Sequence, residues 1–283
     1  MLGAIIGDIV GSRYEFHNHR DKDFDLFGKG CSITDDSVMT LAVAKALIET
    51  DKDLGYGVSG QVSPDEYFQE LSKQSIKYMQ QIGRRYPSCG YGGMFYRWVF
   101  SEKPQPYNSY GNGAAMRISP AGFAARTGLE AAELSAAITC VSHSHEEGIK
   151  GAEATAICIY LARHGSSKGE IREIVTRDYY PLDFTIDEIR PTYHFDVTCQ
   201  GTVPQAIIAF LESESFEDAI RTAVSVGGDS DTMAAITGAI AQAHYGIPSE
   251  IRGKVLTYLD KDLHRIYDEW EAFMLLRGLT QRH

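Results

Sequence analysis

The chain has 283 residues, of which 43% are hydrophobic and 23% charged, a composition typical of a globular protein that buries a sizeable core. Its formal net charge is -11 and its basic residues are scattered, which argues against nonspecific binding to nucleic acids or to anionic membranes. No apolar run reaches the roughly 18 residues of a membrane span, and no segment resembles an interdomain linker. We therefore expect a single cytoplasmic domain over residues 1–283, with no nucleic-acid or membrane partner.

The cysteines argue against a disulfide-stabilised fold. They are five in number, have no Cys-x-x-Cys spacing, and occur in a chain too long to need covalent cross-links. We expect reduced side chains with mostly packing roles at Cys31, Cys89, Cys140, Cys158 and Cys199.

Apolar residues recur at helical spacing along most of the chain, and strand signals are few and short. After an opening helix marked by glycines, Thr34 is a good N-cap for a helix to about Glu49, and Pro64 opens the next helix. Further helices are predicted over residues 128–142, 147–164, 168–178, 202–213, 215–226, 231–245 and 248–260. Irregular loops are predicted over residues 12–33, 84–116 and 180–200. The predicted fold class is therefore all-α.

Two of the predicted helices have small residues at every fourth position. Gly3, Gly7 and Gly11 form one stripe, and Ala234 and Gly238 belong to the other. An interior glycine costs about 1 kcal/mol of helix propensity, so the compensation must come from closely packed backbones. We therefore expect these two helices to be central and in contact with each other.

Two acidic clusters, Thr34-Asp35-Asp36 and Asp229-Ser230-Asp231-Thr232, each directly precede an apolar helical stretch. Either cluster alone also fits an ordinary helix start, where carboxylates compensate the helix dipole. Contact between the glycine-striped helices would bring both clusters together, and the crowded carboxylates would repel unless cations lay between them. Oxygen donors without thiolate or imidazole favour Mg²⁺, Mn²⁺ or Ca²⁺.

Three further motifs fit either a structural or a ligand-binding interpretation. The loop of small residues from Gly111 to Met116 could bind an anion through its amides, and an ordinary turn has the same composition. Tyr91 follows a glycine and could stack on a base or cover the core. His143 and His145 lie between two predicted helices, where histidines commonly cap or pack and where one could reach a ligand.

Two acidic residues accompany the first helix. Asp8 lies inside it among apolar residues, so we expect Asp8 to hold backbone or a metal-bound water rather than to perform chemistry. Glu15 follows the helix and would be an ordinary surface residue in isolation. If the helix packs against the one that follows Asp229, Glu15 emerges beside the proposed metals.

In combination, these motifs resemble those of ADP-ribosylglycohydrolases, a family that includes the enzyme that reactivates dinitrogenase reductase and the vertebrate ADP-ribosyl-acceptor hydrolases. The resemblance extends from Gly3 to about Gly246. The motifs occur in the family's order: Gly7-Asp8, Gly11-Ser12 and Glu15; Thr34-Asp35-Asp36; Gly111-Asn112-Gly113-Ala114-Ala115-Met116-Arg117; Ser142-His143-Ser144-His145; and Gly227-Gly228-Asp229-Ser230-Asp231-Thr232.

The resemblance implies a single-domain orthogonal helical bundle with two Mg²⁺ or Mn²⁺ ions at the bottom of a cleft. It implies metal ligation by Thr34, Asp35, Asp36, Asp229, Asp231 and Thr232. Glu15 falls on a position proposed to be catalytic in some relatives, and Glu15 and Asp36 are the candidate catalytic residues. Substrate binding is implied for Tyr91, Gly111, Asn112, Gly113, Ala114, Met116, His143 and His145.

The implied activity is hydrolysis of the glycosidic bond between ADP-ribose and an acceptor, with arginine on a protein as the leading acceptor. Serine-linked ADP-ribose, O-acetyl-ADP-ribose or another small ADP-ribosyl compound is the alternative substrate. A non-catalytic binding or structural protein is the alternative of another class, and the intact acidic clusters argue against it. Gln242 stands where the family commonly has glycine, downstream of the implied ligands. The sequence leaves the oligomeric state open.

Overall fold

The computed structural model describes residues 1–54 and 62–279, and this part of the chain is helical without a β-strand. The all-α prediction is confirmed. The helices are α1 Leu2–Gly11, α2 Asp35–Leu54, α3 Pro64–Gly83, α4 Gly93–Phe100, α5 Gly113–Met116, α6 Ser119–Ala124, α7 Gly128–Thr139, α8 Glu146–Arg163, α9 Lys168–Asp178, α10 Ile186–Ile189, α11 Cys199–Glu212, α12 Phe216–Val224, α13 Ser230–Tyr245, α14 Ser249–Leu256 and α15 Lys261–Leu276.

Helices α1 and α13 form the centre of the fold and are buried along nearly their whole length. Their glycines permit a backbone approach that no side chain would allow. A Cβ atom built on Gly7 would lie 1.9 Å from Ala234 O, and one on Gly238 would lie 2.3 Å from Gly3 O. The predicted contact between the two small-residue stripes is therefore confirmed.

Around this pair, α13 packs against α8, α11 and α12, while α1 packs against α2. Buried side chains from all these helices join one hydrophobic core. Gln242 links the central pair at one end, because its Oε1 accepts a hydrogen bond from the Gly3 N–H at 2.7 Å. Glutamine at this position thus satisfies a backbone donor in the first turn of α1 that has no partner within the helix.

Several boundaries differ from the sequence predictions. The prediction of irregular loops over 84–116 and 180–200 is wrong in part, because α4 and α5 lie in the first range and α10 and the start of α11 lie in the second. Helices α6 and α15 were not predicted. Helix α2 continues past Glu49 to Leu54, whereas α14 ends at Leu256 because Asp260 begins the next helix. The Asp260 side chain accepts hydrogen bonds from two backbone N–H groups of α15.

The remaining expectations concern cysteines and membranes. All five cysteines are free thiols, as predicted. Among the helices of residues 1–54 and 62–279, none combines the length and the apolar character needed to cross a bilayer. A single domain over residues 1–283 stays a prediction, since its range includes residues 55–61 and 280–283, which lie outside the described part.

Candidate active site

A cavity of about 590 Å³ opens where the first turns of α2 and α13 meet the loop that precedes α5. Carboxylates line one end, and the glycine loop with a histidine and an arginine lines the other. The residues of its wall include Glu15, Phe16, Asp35, Asp36, Gly90, Arg97, Gly111, Asn112, Gly113, Met116, Arg117, His143, Phe195, Asp229, Asp231 and Thr232.

The acidic end is built from two helix N-termini. Thr34 precedes α2 and its Oγ1 accepts a hydrogen bond from the Asp36 N–H at 3.3 Å. Across the cavity, Asp229 is the N-cap residue of α13 and Asp231 lies in its first turn. Thr232 joins the two helices, because its Oγ1 donates to Asp36 Oδ2 at 3.3 Å. The expectation that the two acidic clusters meet is therefore confirmed.

Asp8 fixes the start of α2 from the central helix. Its carboxylate accepts hydrogen bonds from the Thr34 N–H at 3.0 Å, the Thr34 hydroxyl at 2.7 Å and the Ser37 N–H at 3.0 Å, and the Ser37 hydroxyl also donates to it. Asp8 is completely buried. Asp8 thus holds the backbone at the start of α2, as predicted. Because Asp8 belongs to α1, the position of the metal-ligand candidates on α2 depends on how α1 packs.

The arrangement of carboxylate oxygens fits divalent cations. Asp8, Asp36 and Asp231 bring one oxygen each within 4.8 Å of one another, and Glu15, Asp229 and Asp231 do the same. Asp36 Oδ1 is buried without a hydrogen-bond partner among the described residues. A buried carboxylate oxygen that lacks a partner is costly, and a hard cation is the partner that such a donor set favours.

The same crowding disturbs proton binding in the metal-free site. Burial, with Asp8 nearby, raises the pKa of Asp35 to about 8. Burial and the neighbouring carboxylates raise the pKa of Asp36 and of Asp231 well above the usual range. Metal-free, the cluster therefore retains protons near neutrality, and a bound cation would displace them.

Glu15 lies at the mouth of the cavity, half-buried beside the acidic end. Burial and the Asp229 carboxylate raise its pKa to about 7. The next residue, Phe16, is exposed and stacks on Phe195 with ring centroids 6.1 Å apart. The mouth therefore combines a carboxyl group with exposed phenyl faces.

The opposite end of the cavity is formed by the loop before α5 and by the start of the segment between α7 and α8. Asn112 Nδ2 donates to Asp229 Oδ2 at 2.7 Å and its backbone N–H donates to Val197 O at 2.7 Å, which ties the loop to both sides of the cavity. His143 is buried against the loop, with Nε2 3.4 Å from a Cβ built on Gly113.

Several predicted site residues do not line the cavity. The Tyr91 ring packs against Phe95 and its hydroxyl donates to Gly83 O at 3.3 Å, although Gly90 beside it belongs to the wall. Ala114 is buried, and Thr34 faces Asp8. His145 caps α8 by accepting from the Glu147 N–H, away from the wall.

The Gly227-Gly228 pair directly precedes Asp229 at the start of α13. Both residues have left-handed φ angles, 76° and 73°, which glycine adopts without strain. A Cβ on Gly228 would lie 2.6 Å from the Tyr193 ring. The glycines thus form the tight turn that brings Asp229 into the cavity.

Arg117 also belongs to the cavity wall, although it was not among the predicted site residues. It is completely buried and contacts Ser142 and His143. Fully buried arginines are rare, and the residues next to Arg117 in the sequence do not indicate that its side chain is buried. Phe16 and Phe195 were missed for the same reason, because only tertiary structure places them side by side.

The fold and site together define an all-α protein with a carboxylate cluster suited to divalent cations. Comparison with known proteins identifies the family: residues 1–281 match the model of the ADP-ribosylglycohydrolases. The human ADP-ribosylhydrolase ARH3 is 25% identical over 95% of this chain and 93% of its own. The ADP-ribosylarginine hydrolase Tri1 of Pseudomonas putida is 26% identical over 87% of this chain and 70% of its own.

A solved structure titled "ADP-ribosylglycohydrolase-related protein complex" has the same fold, with a TM-score of 0.64 and 21% identity over 95% of this chain and 94% of that one. The chain belongs to the ADP-ribosylglycohydrolase family and is a hydrolase. The predicted family and enzyme class are therefore confirmed.

Proposed function

We propose that the protein is a metal-dependent hydrolase that cleaves the glycosidic bond between ADP-ribose and an acceptor, with mono-ADP-ribosylated arginine on a protein as the preferred substrate. The observation that carries the proposal is the polarity of one cavity. Its acidic end, around Asp36 and Asp231, suits cations, and its other end, around Gly113 and His143, offers hydrogen-bond donors. ADP-ribose has hydroxyl groups for the first and a diphosphate for the second.

Asp36 lies close to Asp231 in one group of carboxylates, with Asp8, and Asp229 lies close to Asp231 in the other, with Glu15; two such groups support two cations rather than one. We propose Mg²⁺ or Mn²⁺, because all candidate ligands are oxygen donors. The residues that would hold them are Thr34, Asp35, Asp36, Asp229, Asp231 and Thr232. When bound, the cations would supply Lewis-acid stabilisation and orientation of the ribose hydroxyls and of water.

The protein side chains divide the remaining work. Glycoside cleavage passes through a state that resembles an oxocarbenium ion, which nearby carboxylates stabilise. Glu15 is the candidate general acid or base, because it lies at the mouth between the acidic cluster and the side from which an acceptor must approach. Asp36 is the candidate catalytic carboxylate within the cluster, where the Thr232 hydroxyl donates to its Oδ2.

Arginine is favoured as the acceptor by the chemistry of the mouth. Phe16 and Phe195 expose phenyl faces next to the Glu15 carboxyl. A planar guanidinium stacks on aromatic faces and pairs with carboxylates, whereas a serine side chain offers neither interaction. The name of the Pseudomonas relative, an ADP-ribosylarginine hydrolase, agrees with this preference.

The test measures ADP-ribose release from arginine-ADP-ribosylated protein and, in parallel, from a serine-linked substrate. Each reaction is run with Mg²⁺, with Mn²⁺ and with EDTA. We expect release from the arginine substrate that requires either cation and stops in EDTA.

The other outcomes separate the alternatives. Release only from the serine-linked substrate would retain the mechanism and refute the arginine preference. Undiminished release in EDTA, after metal analysis of the protein, would refute metal dependence. No release from either substrate, with ADP-ribose still bound, would refute the proposed reaction in favour of a small ADP-ribosyl substrate or a non-catalytic binding protein.

A further inference from the structure

Arg117 is a buried cation whose side chain is only partly hydrogen-bonded. Its Nη2 donates to Ser142 Oγ at 2.7 Å and lies 3.1 Å from His143 Nδ1. Its Nε and Nη1 have no hydrogen-bond partner among the described residues. It forms no ion pair with a carboxylate in that part of the chain.

Such a guanidinium is unfavourable unless an anion completes it, because the positive charge has lost its hydration. The contact with the Phe95 ring, 4.7 Å from the guanidinium carbon, offsets only part of that cost. Arg117 nevertheless forms part of the cavity wall, where it contacts His143. Because none of its side chain is open to solvent, it is expected to act on an anion in the cavity through its charge and through His143.

The contact with His143 determines which ring nitrogen carries the proton. Two groups contact His143 Nδ1, Arg117 Nη2 at 3.1 Å and Ser142 Oγ at 2.9 Å. Arginine only donates, and the Ser142 hydroxyl accepts from Arg117 at 2.7 Å and so keeps its own proton for donation. Both contacts are hydrogen bonds when His143 Nδ1 is the acceptor. The proton of the uncharged ring is consequently on Nε2, which lies 3.6 Å from a Cβ built on Gly111 and 3.4 Å from one on Gly113. Burial and the Arg117 charge lower the pKa of His143 well below its usual value, so the ring stays uncharged.

We propose that Arg117 is a positioning residue for the diphosphate of the ligand: it holds His143 as an Nε2–H donor above the glycine loop and supplies the buried positive charge. The inference deepens the proposed function and rests on it for the identity of the ligand. It assigns Arg117 no bond-making or bond-breaking step. The diphosphate is the group that requires both a hydrogen-bond donor and a countercharge.

Binding measurements on the metal-loaded protein test the charge. ADP, AMP and adenosine are titrated by calorimetry into wild type, Arg117→Met and Arg117→Lys. Arg117→Met is expected to weaken ADP binding at least about tenfold, the effect of losing a buried charge and the hydrogen bond that orients His143, while adenosine affinity changes less than about twofold. Arg117→Lys keeps the charge and is expected to restore most of the ADP affinity.

Arg97→Met is the matched control, since Arg97 lines the same cavity but is exposed to solvent. It is expected to weaken ADP binding less than Arg117→Met does. A parallel loss for ADP and adenosine, no loss for ADP, or an Arg117→Lys variant as weak as Arg117→Met would each overturn the charge assignment.

A measurement on wild type keeps the inference testable if the variants do not fold. Nitrogen NMR of the histidine rings at pH 7 is expected to show His143 uncharged with its proton on Nε2, and a proton on Nδ1 would refute the positioning role.

Turnover distinguishes this inference from the proposed function. A protein that binds ADP through Arg117 yet releases no ADP-ribose would contradict the proposed function and leave this inference intact.

Discussion

The two ends of the cavity solve opposite electrostatic problems. At the acidic end, burial and, after it, the charges of neighbouring carboxylates raise the pKa values of Asp35, Asp36 and Asp231. At the other end, Arg117 is a buried positive charge without an ion-pair partner among the described residues, and His143 is held uncharged beside it. The acidic end has an excess of negative charge and lacks cations, whereas the other end has a positive charge and lacks an anion.

The two ends nevertheless do not form an ion pair, although the Asp35 charge partly opposes the lowering of the Arg117 pKa by burial. The loop residue Asn112 lies between them and donates to Asp229, and no direct ion pair joins Arg117 to an aspartate in the described chain. Keeping them apart preserves a cation site and an anion site within one cavity of about 590 Å³. This separation indicates that the charged groups of the cavity are arranged for a ligand with two chemically different ends rather than for the stability of the empty protein.

Loss of an acidic ligand candidate should have the largest effect and should leave the cationic end intact. Asp35→Ala or Asp231→Ala is expected to lower ADP-ribose release by about a thousandfold or more, because cations contribute several kcal/mol to such transition states. Metal content by mass spectrometry and ADP affinity are measured on the same samples. Asp183→Ala removes an exposed carboxylate as a control. Full activity with normal metal content in either variant would refute the site assignment.

A methyl group at Gly7 should disrupt the acidic end through the packing that supports it. Gly7→Ala forces α1 away from α13, because the added carbon would lie 1.9 Å from a backbone oxygen. We expect destabilisation of roughly 3 kcal/mol, at the upper end for overpacking, measured by urea unfolding. Gly253→Ala is the control, since nothing lies within 4 Å of the added carbon. It is expected to stabilise α14 by about 0.5 kcal/mol. Equal effects of the two substitutions would contradict the packing argument.

The stability of the metal-free protein should fall as pH rises from about 5 to about 8. Folding raises the pKa of Glu15 to about 7 and that of Asp35 to about 8, whereas unfolded carboxyls titrate near 4. The folded state therefore binds more protons in this range, and stability decreases by about 1.4 kcal/mol per pH unit for each extra proton.

Thermal unfolding in EDTA across this pH range measures the slope. Mn²⁺ or Mg²⁺ should stabilise the protein more at pH 8 than at pH 5, because binding displaces the protons. Asp36→Asn removes one of the crowded charges and should reduce the slope in EDTA. A slope of the opposite sign would contradict the cause assigned to the raised pKa values.

The smallest expected effect concerns the mouth of the cavity and tests the acceptor. Phe16→Ala and Phe195→Ala are each expected to raise KM for the arginine-linked substrate about two- to fivefold, the size of an exposed cation–π interaction. The serine-linked substrate should be unaffected, as should ADP binding at the cationic end. Leu129→Ala removes an exposed apolar side chain that is not part of the cavity wall and serves as the control. Equal losses for both linkages would remove the structural reason for preferring arginine.

Much of the fold follows from local patterns. The prediction of a helix over 168–178 is confirmed at Lys168–Asp178, where Ser167 and Glu170 form a reciprocal cap that the sequence spells out. The stripe of Gly3, Gly7 and Gly11 predicts the central helix contact, because only a close backbone approach compensates its low helix propensity. These features depend on residues near one another in sequence.

Local patterns predict short helices poorly. Helix α4 has eight residues and begins after a run of glycines, so its few apolar positions do not establish a period. Helix α15, which was not predicted, does have a local signal, because apolar residues recur at helical spacing after the Asp260 cap. Its Leu263, Tyr267 and Trp270 are buried in the core.

The sequence by itself determined most of the longer helices, the packing of α1 on α13 and hence the meeting of the acidic clusters, because propensity and periodicity act over a few residues. Only the tertiary structure decided which clustered side chains face the cavity. It turned Tyr91 and His145 away from the wall and placed Arg117 in it without a countercharge. Burial and electrostatic environment depend on segments distant in sequence, so no local pattern contains them.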